Sequence, residues 1–162
     1  VVEEGLPGRT TVFEDPLYGY RRGADYLPPC LASHAPLDAV VIFLGTNDLK
    51  ARLAAGAFDI AAGVGVLAQT ALLSGCGPGG TAPQVLLLGL PRLGPELSPE
   101  FAGAKEKEAD LTRYLVEQAA WLSVEQLDLD EVTYSAIDGI HLDVEGHAAT
   151  GEIVARRLAS MF

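Results

Sequence analysis

The chain has 162 residues, a net charge of −11, and 49% apolar against 20% charged residues, a balance that excludes intrinsic disorder and suits one compact domain. Its acidity argues against nucleic acid or an anionic membrane surface as the main partner. No apolar run approaches the roughly 18 residues of a membrane span.

The chain opens on Val1-Val2-Glu3-Glu4, and its only methionine is Met161. Residue 1 is therefore expected not to be a translational start, and a prefix is expected to precede it. Val1–Glu3 reads as the tail of a strand, followed by the glycine-containing loop Gly5-Leu6-Pro7-Gly8-Arg9-Thr10-Thr11. Ala39-Val40-Val41-Ile42-Phe43-Leu44 is a continuous apolar run, as expected of a strand buried on both faces of a parallel sheet. Asp59 is predicted to cap a helix over residues 60–74, with Ile60, Val64, Leu67 and Ala71 inward. Gly63 and Gly65 weaken that helix by propensity and are expected to let it pack closely on a sheet. The segment Gly75–Gly80 ends it as a surface connection and, with no Lys-Ser/Thr following, is not a phosphate loop.

Val85-Leu86-Leu87-Leu88-Gly89-Leu90 is a second buried strand, stopped by Pro91. Ser98-Pro99 is predicted to open a helix running to residue 119, with Leu111 and Leu115 inward and residues 105–108 solvated. A short strand is expected within Trp121–Leu127, and Asp143 caps a last helix with Ile153, Val154 and Leu158 inward. This alternation predicts an α/β fold with a mostly parallel sheet. There is no internal repeat and no second domain. Cys30 and Cys76 form no C-x-x-C and read as two buried or loop thiols in preference to a disulfide or a metal site.

In a parallel sheet, ligands bind at the carboxyl ends of the strands. Three stretches qualify. In Asp138-Gly139-Ile140-His141, a carboxylate three residues before a histidine can hold its Nδ1–H and leave Nε2 free as a general base. Alone, the same pattern also describes a turn aspartate beside an exposed histidine. In Gly45-Thr46-Asn47-Asp48, the Asn47 carboxamide can donate to a developing oxyanion or simply satisfy a local turn. Gly8 can turn its backbone N–H toward a substrate, or belong to an ordinary loop. A metal-dependent alternative would use His141, Asp143 and His147.

Together these stretches resemble the SGNH (GDSL-type) hydrolases, and within them the arylesterase and acyltransferase-like branch. Residues Glu3 to Thr11 look like the family's second block, Gly45-Thr46-Asn47-Asp48 like its third, and Asp138-Gly139-Ile140-His141 like its fifth. Tyr26-Leu27-Pro28-Pro29-Cys30-Leu31 and Pro36-Leu37-Asp38 are also similar to that branch. The resemblance implies a three-layer, flavodoxin-like α/β fold and a serine esterase or acyltransferase acting on small carboxylic esters through an acyl-enzyme. It implies His141 as general base, Asp138 as its orienting carboxylate, and Asn47 with the Gly8 N–H as oxyanion-hole donors. No cofactor is implied. The expected partner is a small-molecule ester, with self-association expected of the branch and a cytoplasmic setting expected over a secreted one.

One part of the pattern is missing. The family nucleophile is a serine in a G-D-S-L block after the first strand, and no G-D-S occurs here. Ser33, Ser74, Ser98, Ser123, Ser135 and Ser160 all lack a Gly-flanked turn after a predicted strand, and G-x-S-x-G is absent as well. The resemblance therefore places the nucleophile upstream of residue 1, on an inner strand, and makes residues 1–162 one N-terminally incomplete domain. Without that strand, its two neighbours would keep unpaired backbone groups, so a chain truly beginning at Val1 is expected to fold poorly. The alternative from another class is a binding module of this family that lacks the nucleophile.

Overall fold

A computed structural model describes all of residues 1–162. The elements, in chain order, are α1 (Gly23–His34), β1 (Ala39–Ile42), α2 (Ala57–Leu73), β2 (Gln84–Leu88), α3 (Lys105–Leu122), β3 (Glu125–Leu127) and α4 (Val144–Met161). The strands form one parallel sheet in the order β1-β2-β3, with Val40 opposite Val85 and Leu87 opposite Gln126.

The central strand explains why the sheet has helices on both sides. Val85 and Leu87 point into a core built with residues of α1, α2 and α3, including Leu31, Ile60, Leu67 and Leu115. Leu86 and Leu88 point the other way, into a smaller core with Leu129, Val132 and the Ile153, Val154 and Leu158 face of α4. Alternate side chains of one apolar strand thus serve two cores, which gives the three-layer α/β arrangement. Fully burying a leucine or valine is worth about 1.5–3 kcal/mol. No helix is long and apolar enough to cross a membrane.

Several local expectations shift. Val1–Glu3 is exposed and forms no strand, because β-prone residues need a partner strand and β1 pairs only with β2. Gly56 is the N-cap of α2, and Asp59 lies one turn in, accepting from the Gly56 N–H at 3.3 Å. Ser98 precedes a short 3-10 turn at Pro99–Phe101, and α3 starts only at Lys105. At the start of α3, two side chains expected in solvent are tied down. Glu108 accepts from the Leu93 N–H at 2.6 Å, and Lys107 donates to the Ala55 carbonyl at 2.8 Å. The Asp143 cap is as expected, accepting from the Gly146 N–H at 2.8 Å.

Helix α1 has no counterpart in the sequence reading. Pro28 and Pro29 lie inside it and remove two helical donors. The first turn is anchored instead by the loop before it, where Gly23 and Ala24 N–H donate to the Thr10 and Thr11 carbonyls at 2.9 and 3.0 Å. Leu31 then buries against the core.

The helix glycines meet loop and helix rather than sheet. A Cβ on Gly63 would lie 2.4 Å from Thr11 Oγ1 and 3.1 Å from Val12 Cγ2, whereas one on Gly65 would meet the end of the Gln118 side chain on α3. Helix propensity alone would make either Gly→Ala change stabilising by about 1 kcal/mol. The contact at Gly63 reverses that sign. Gly63→Ala is expected to destabilise by about 1–3 kcal/mol in urea unfolding, with a smaller effect for Gly65→Ala because a flexible side chain can yield.

Thr11 is itself held by Asp48. The Asp48 carboxylate is fully buried and accepts from the Thr11 N–H at 2.9 and 3.1 Å and from its hydroxyl at 2.7 Å. Burial outweighs these donors and pushes the Asp48 pKa from 3.8 up to about 6. A raised folded-state pKa stabilises most below pH 3.8, and that contribution, about 3 kcal/mol, is lost as pH rises through about 6. Thr11→Val removes a donor that favours the ionised form. It should lower stability by about 1–3 kcal/mol at pH 7 and by less at pH 5, and equal losses at both values would contradict this account.

Candidate active site

The stretch from Tyr134 to His141 is folded on itself by short backbone contacts. Ser135 N–H donates to the His141 carbonyl at 2.7 Å, and Gly139 N–H donates to the Ser135 carbonyl at 2.8 Å. Gly139 has φ +75, and a Cβ there would lie 2.5 Å from the Glu96 carbonyl oxygen, so only glycine fits this turn. The turn brings Asp138 beside His141, with Oδ2 and Nδ1 2.8 Å apart. Oδ1 of the same carboxylate accepts from the Ile140 and His141 N–H groups, each at 3.0 Å. The Ile140 N–H, together with the His141 ring, holds Asp138 below the usual carboxylate range against the opposing effect of burial. The His141 ring is largely exposed, so Nε2 is available to a reacting group.

Asn47 begins a 3-10 turn after β1 and Gly45, whose φ is +125. Both neighbouring side chains are committed, Thr46 to Tyr134 and Asp48 to Thr11. The half-buried Asn47 carboxamide has no such internal partner, so it is not a turn residue satisfying its own backbone. Gly8 sits at the third position of a Leu6-Pro7-Gly8-Arg9 turn, with φ +78 and the Arg9 N–H donating to the Leu6 carbonyl at 3.1 Å. Those are type II features, and the Gly8 N–H consequently points away from the turn.

Two side-chain bonds join the three stretches. Thr11–Asp48 links the Gly8 loop to the Asn47 turn, and the Thr46 and Tyr134 hydroxyls, 2.7 Å apart, link that turn to the loop of Asp138 and His141. Tyr134 is buried, and desolvation raises its phenol pKa to about 12, so it stays neutral. No serine hydroxyl is bonded to His141. Ser135 is nearest along the chain, and its Oγ accepts from the Ile137 N–H. The hydroxyls of Ser33, Ser74 and Ser160 bond to carbonyls one turn back in their own helices. His141, Asp143 and His147 do not converge on a metal position, since Asp143 caps α4 and Asp138 holds His141.

One cluster had no sequence signal. Asp15 is buried and receives Arg52 Nε and Nη2 at 2.9 and 2.7 Å, with Lys50 Nζ at 3.4 Å. The hydrogen bonds from Arg52, reinforced by the Leu17 N–H, hold the Asp15 carboxyl well below its ordinary range. This pairing pins the long loop after Thr11 to the chain just beyond Asn47. Among the apolar residues near these loops, Leu49 lies in the core, Phe13 is packed against it, and Leu6, Leu17 and Tyr18 are exposed.

The family model of the GDSL-like lipase/acylhydrolase family matches residues 1–149. Among solved structures, the chain resembles the aryl esterase of M. smegmatis at 39% identity and a TM-score of 0.92, covering 99% of this chain and 78% of that one. Est24, a carbohydrate acetylesterase from Sinorhizobium meliloti, is 38% identical with a TM-score of 0.92 over the same shares of 99% and 78%. A further carbohydrate acetylesterase family member from Sinorhizobium meliloti is 34% identical, with a TM-score of 0.89 and shares of 99% and 78%. No curated protein matches in sequence. Fold, block order and these likenesses agree that the chain belongs to the GDSL-like lipase/acylhydrolase (SGNH) family and is a carboxylic ester hydrolase.

Proposed function

We propose that the protein cleaves small carboxylic esters in two acyl-transfer steps, with His141 as general base, Asp138 as its orienting carboxylate, and Asn47 and Gly8 as oxyanion donors. The observation that carries this reading is the 2.8 Å contact between Asp138 Oδ2 and His141 Nδ1, which leaves Nε2 facing outward. A serine nucleophile, contributed by a segment N-terminal to Val1, attacks the ester carbonyl while Nε2 takes its proton. The oxyanion is received by the Asn47 carboxamide and the Gly8 N–H, neither of which is bonded within the chain. His141 then returns the proton to the departing alcohol. Water releases the acyl group, and a second alcohol in its place would make the reaction an acyl transfer.

The named relatives, an aryl esterase and a carbohydrate acetylesterase, support aryl esters or acetyl esters of carbohydrates as the substrate class. A non-catalytic binding module is the second reading, favoured only by the absence of a serine hydroxyl bonded to His141 within residues 1–162. A serine-directed phosphonate applied to the full-length protein separates the two. Stoichiometric label on a serine N-terminal to Val1 supports the esterase, and label on any of the six serines numbered here would overturn the nucleophile assignment.

Two substitutions test the roles with 4-nitrophenyl acetate. Asn47→Ala is expected to lower kcat by about 10²–10³ with little change in KM, since its donor acts on charge that develops in the transition state. Asp138→Asn keeps an acceptor for the backbone N–H groups but turns an N–H toward Nδ1, which disfavours the required tautomer. A fall in kcat of at least about 10² is expected, and unchanged turnover would remove Asp138 from the mechanism.

A further inference from the structure

Helix α1 has a second face that the esterase chemistry does not use. Tyr26, Cys30 and His34 recur at four-residue spacing and so line one side of the helix, while Leu27 and Leu31 pack toward the core. Glu4, on the exposed N-terminal segment, lies against this row. Its Oε1 is 2.8 Å from His34 Nε2, and its Oε2 accepts from the Tyr26 hydroxyl. A carboxylate oxygen of Glu4, the Cys30 sulfur and a ring nitrogen of His34 all fall within 4.8 Å of one another.

We propose that Glu4, Cys30 and His34 form a Zn²⁺ site that clamps the N-terminal segment onto α1. The donor set is one carboxylate, one thiolate and one imidazole, a mixture that suits a borderline-soft ion and not Mg²⁺ or Ca²⁺. A tetrahedral Zn²⁺ with bonds of about 2.0–2.3 Å holds its ligand atoms roughly 3.4–3.7 Å apart. The longer separations within the 4.8 Å envelope close, and the 2.8 Å Glu4–His34 contact opens, by shifts of about 1 Å or less, which the partly exposed Glu4 and His34 side chains can supply. The two anionic ligands offset the charge of the ion, and the thiol proton leaves on binding.

The surroundings already order these ligands. Tyr26 holds the second oxygen of Glu4, leaving Oε1 directed at His34. The Arg9 guanidinium stacks 4.1 Å from the centre of the Tyr26 ring and fixes it in turn. Such outer partners typically matter 10–100-fold for metal affinity. The fourth coordination position is left to water. The site stands apart from Asp138 and His141 in the chain, so it succeeds or fails independently of the esterase assignment. Its consequence is mechanical, since a fixed Glu4 anchors the turn that carries Gly8.

The test is metal binding to the full-length protein after chelator treatment, with Zn²⁺ affinity measured by competition and Co²⁺ as the spectroscopic probe. The expected result is one equivalent of Zn²⁺ and a thiolate-to-cobalt charge-transfer band. Cys30→Ser should abolish the band, His34→Gln should weaken Zn²⁺ by more than the roughly 10–100-fold expected of Tyr26→Phe, and Cys76→Ser should change neither. Circular dichroism establishes that each variant is folded, and a misfolded Cys30→Ser is replaced by Cys30→Ala. Absence of the band, its survival in the folded Cys30 variant, or wild-type affinity in His34→Gln would overturn the proposal.

Discussion

In the middle of this fold a carboxylate with no solvent exposure receives the backbone N–H and the hydroxyl of a threonine far away in sequence. Asp48 follows Asn47 directly, and Thr11 lies three residues beyond Gly8, so their contact ties together the two residues proposed as oxyanion donors. The pair is finely balanced. Burial disfavours the charged carboxylate strongly enough to raise its pKa to about 6, while three contacts from Thr11 hold it in place. An amide could not replace it without setting an N–H against the Thr11 N–H. Gly63 is part of the same constraint, because any larger residue on α2 would displace Thr11.

Two further contacts extend this rigidity outward. Arg52 grips Asp15 with two parallel hydrogen bonds, a geometry that orients as well as attracts, and also reaches Glu100 at 2.8 Å. The loop after Thr11 is thereby fixed to the chain beyond Asn47. On the other side, buried Tyr134 meets Thr46 and carries the constraint to the turn of Asp138 and His141. Catalytic groups held within fractions of an ångström need such support, and loops do not supply it by themselves. Here each of the three loops is tied to its neighbour by a buried or half-buried side chain.

What the sequence made readable follows from how local each signal is. The apolar runs at 39–44 and 85–90 stand out because a strand buried on both faces has no polar alternation to obscure it. Asp138 and His141, three residues apart, meet across one turn, and Asp143 caps the helix it precedes. Asp15, Lys50 and Arg52 are brought together only by the tertiary fold, and nothing in their spacing announces it. Helix α1 was hidden by Pro28 and Pro29, since its first turn is completed by carbonyls of Thr10 and Thr11 instead of by its own sequence. Val1–Glu3 illustrates the opposite error, β propensity without a partner strand.

The charge of the molecule, which argues against nucleic acid as the main partner, bears on turnover as well. Among the buried charged residues, Arg9 and Lys50 offset Asp15 and Asp48, so the net charge of −11 resides at the surface. A neutral ester approaches such a surface without electrostatic help or hindrance. The reaction proposed here converts it into a carboxylate, which the same surface repels. The field therefore acts on the product and not on the substrate, favouring departure of the acid over its return. Arg52, just beyond Asn47, is committed to Asp15 and Glu100 and is not free to hold the anion once formed.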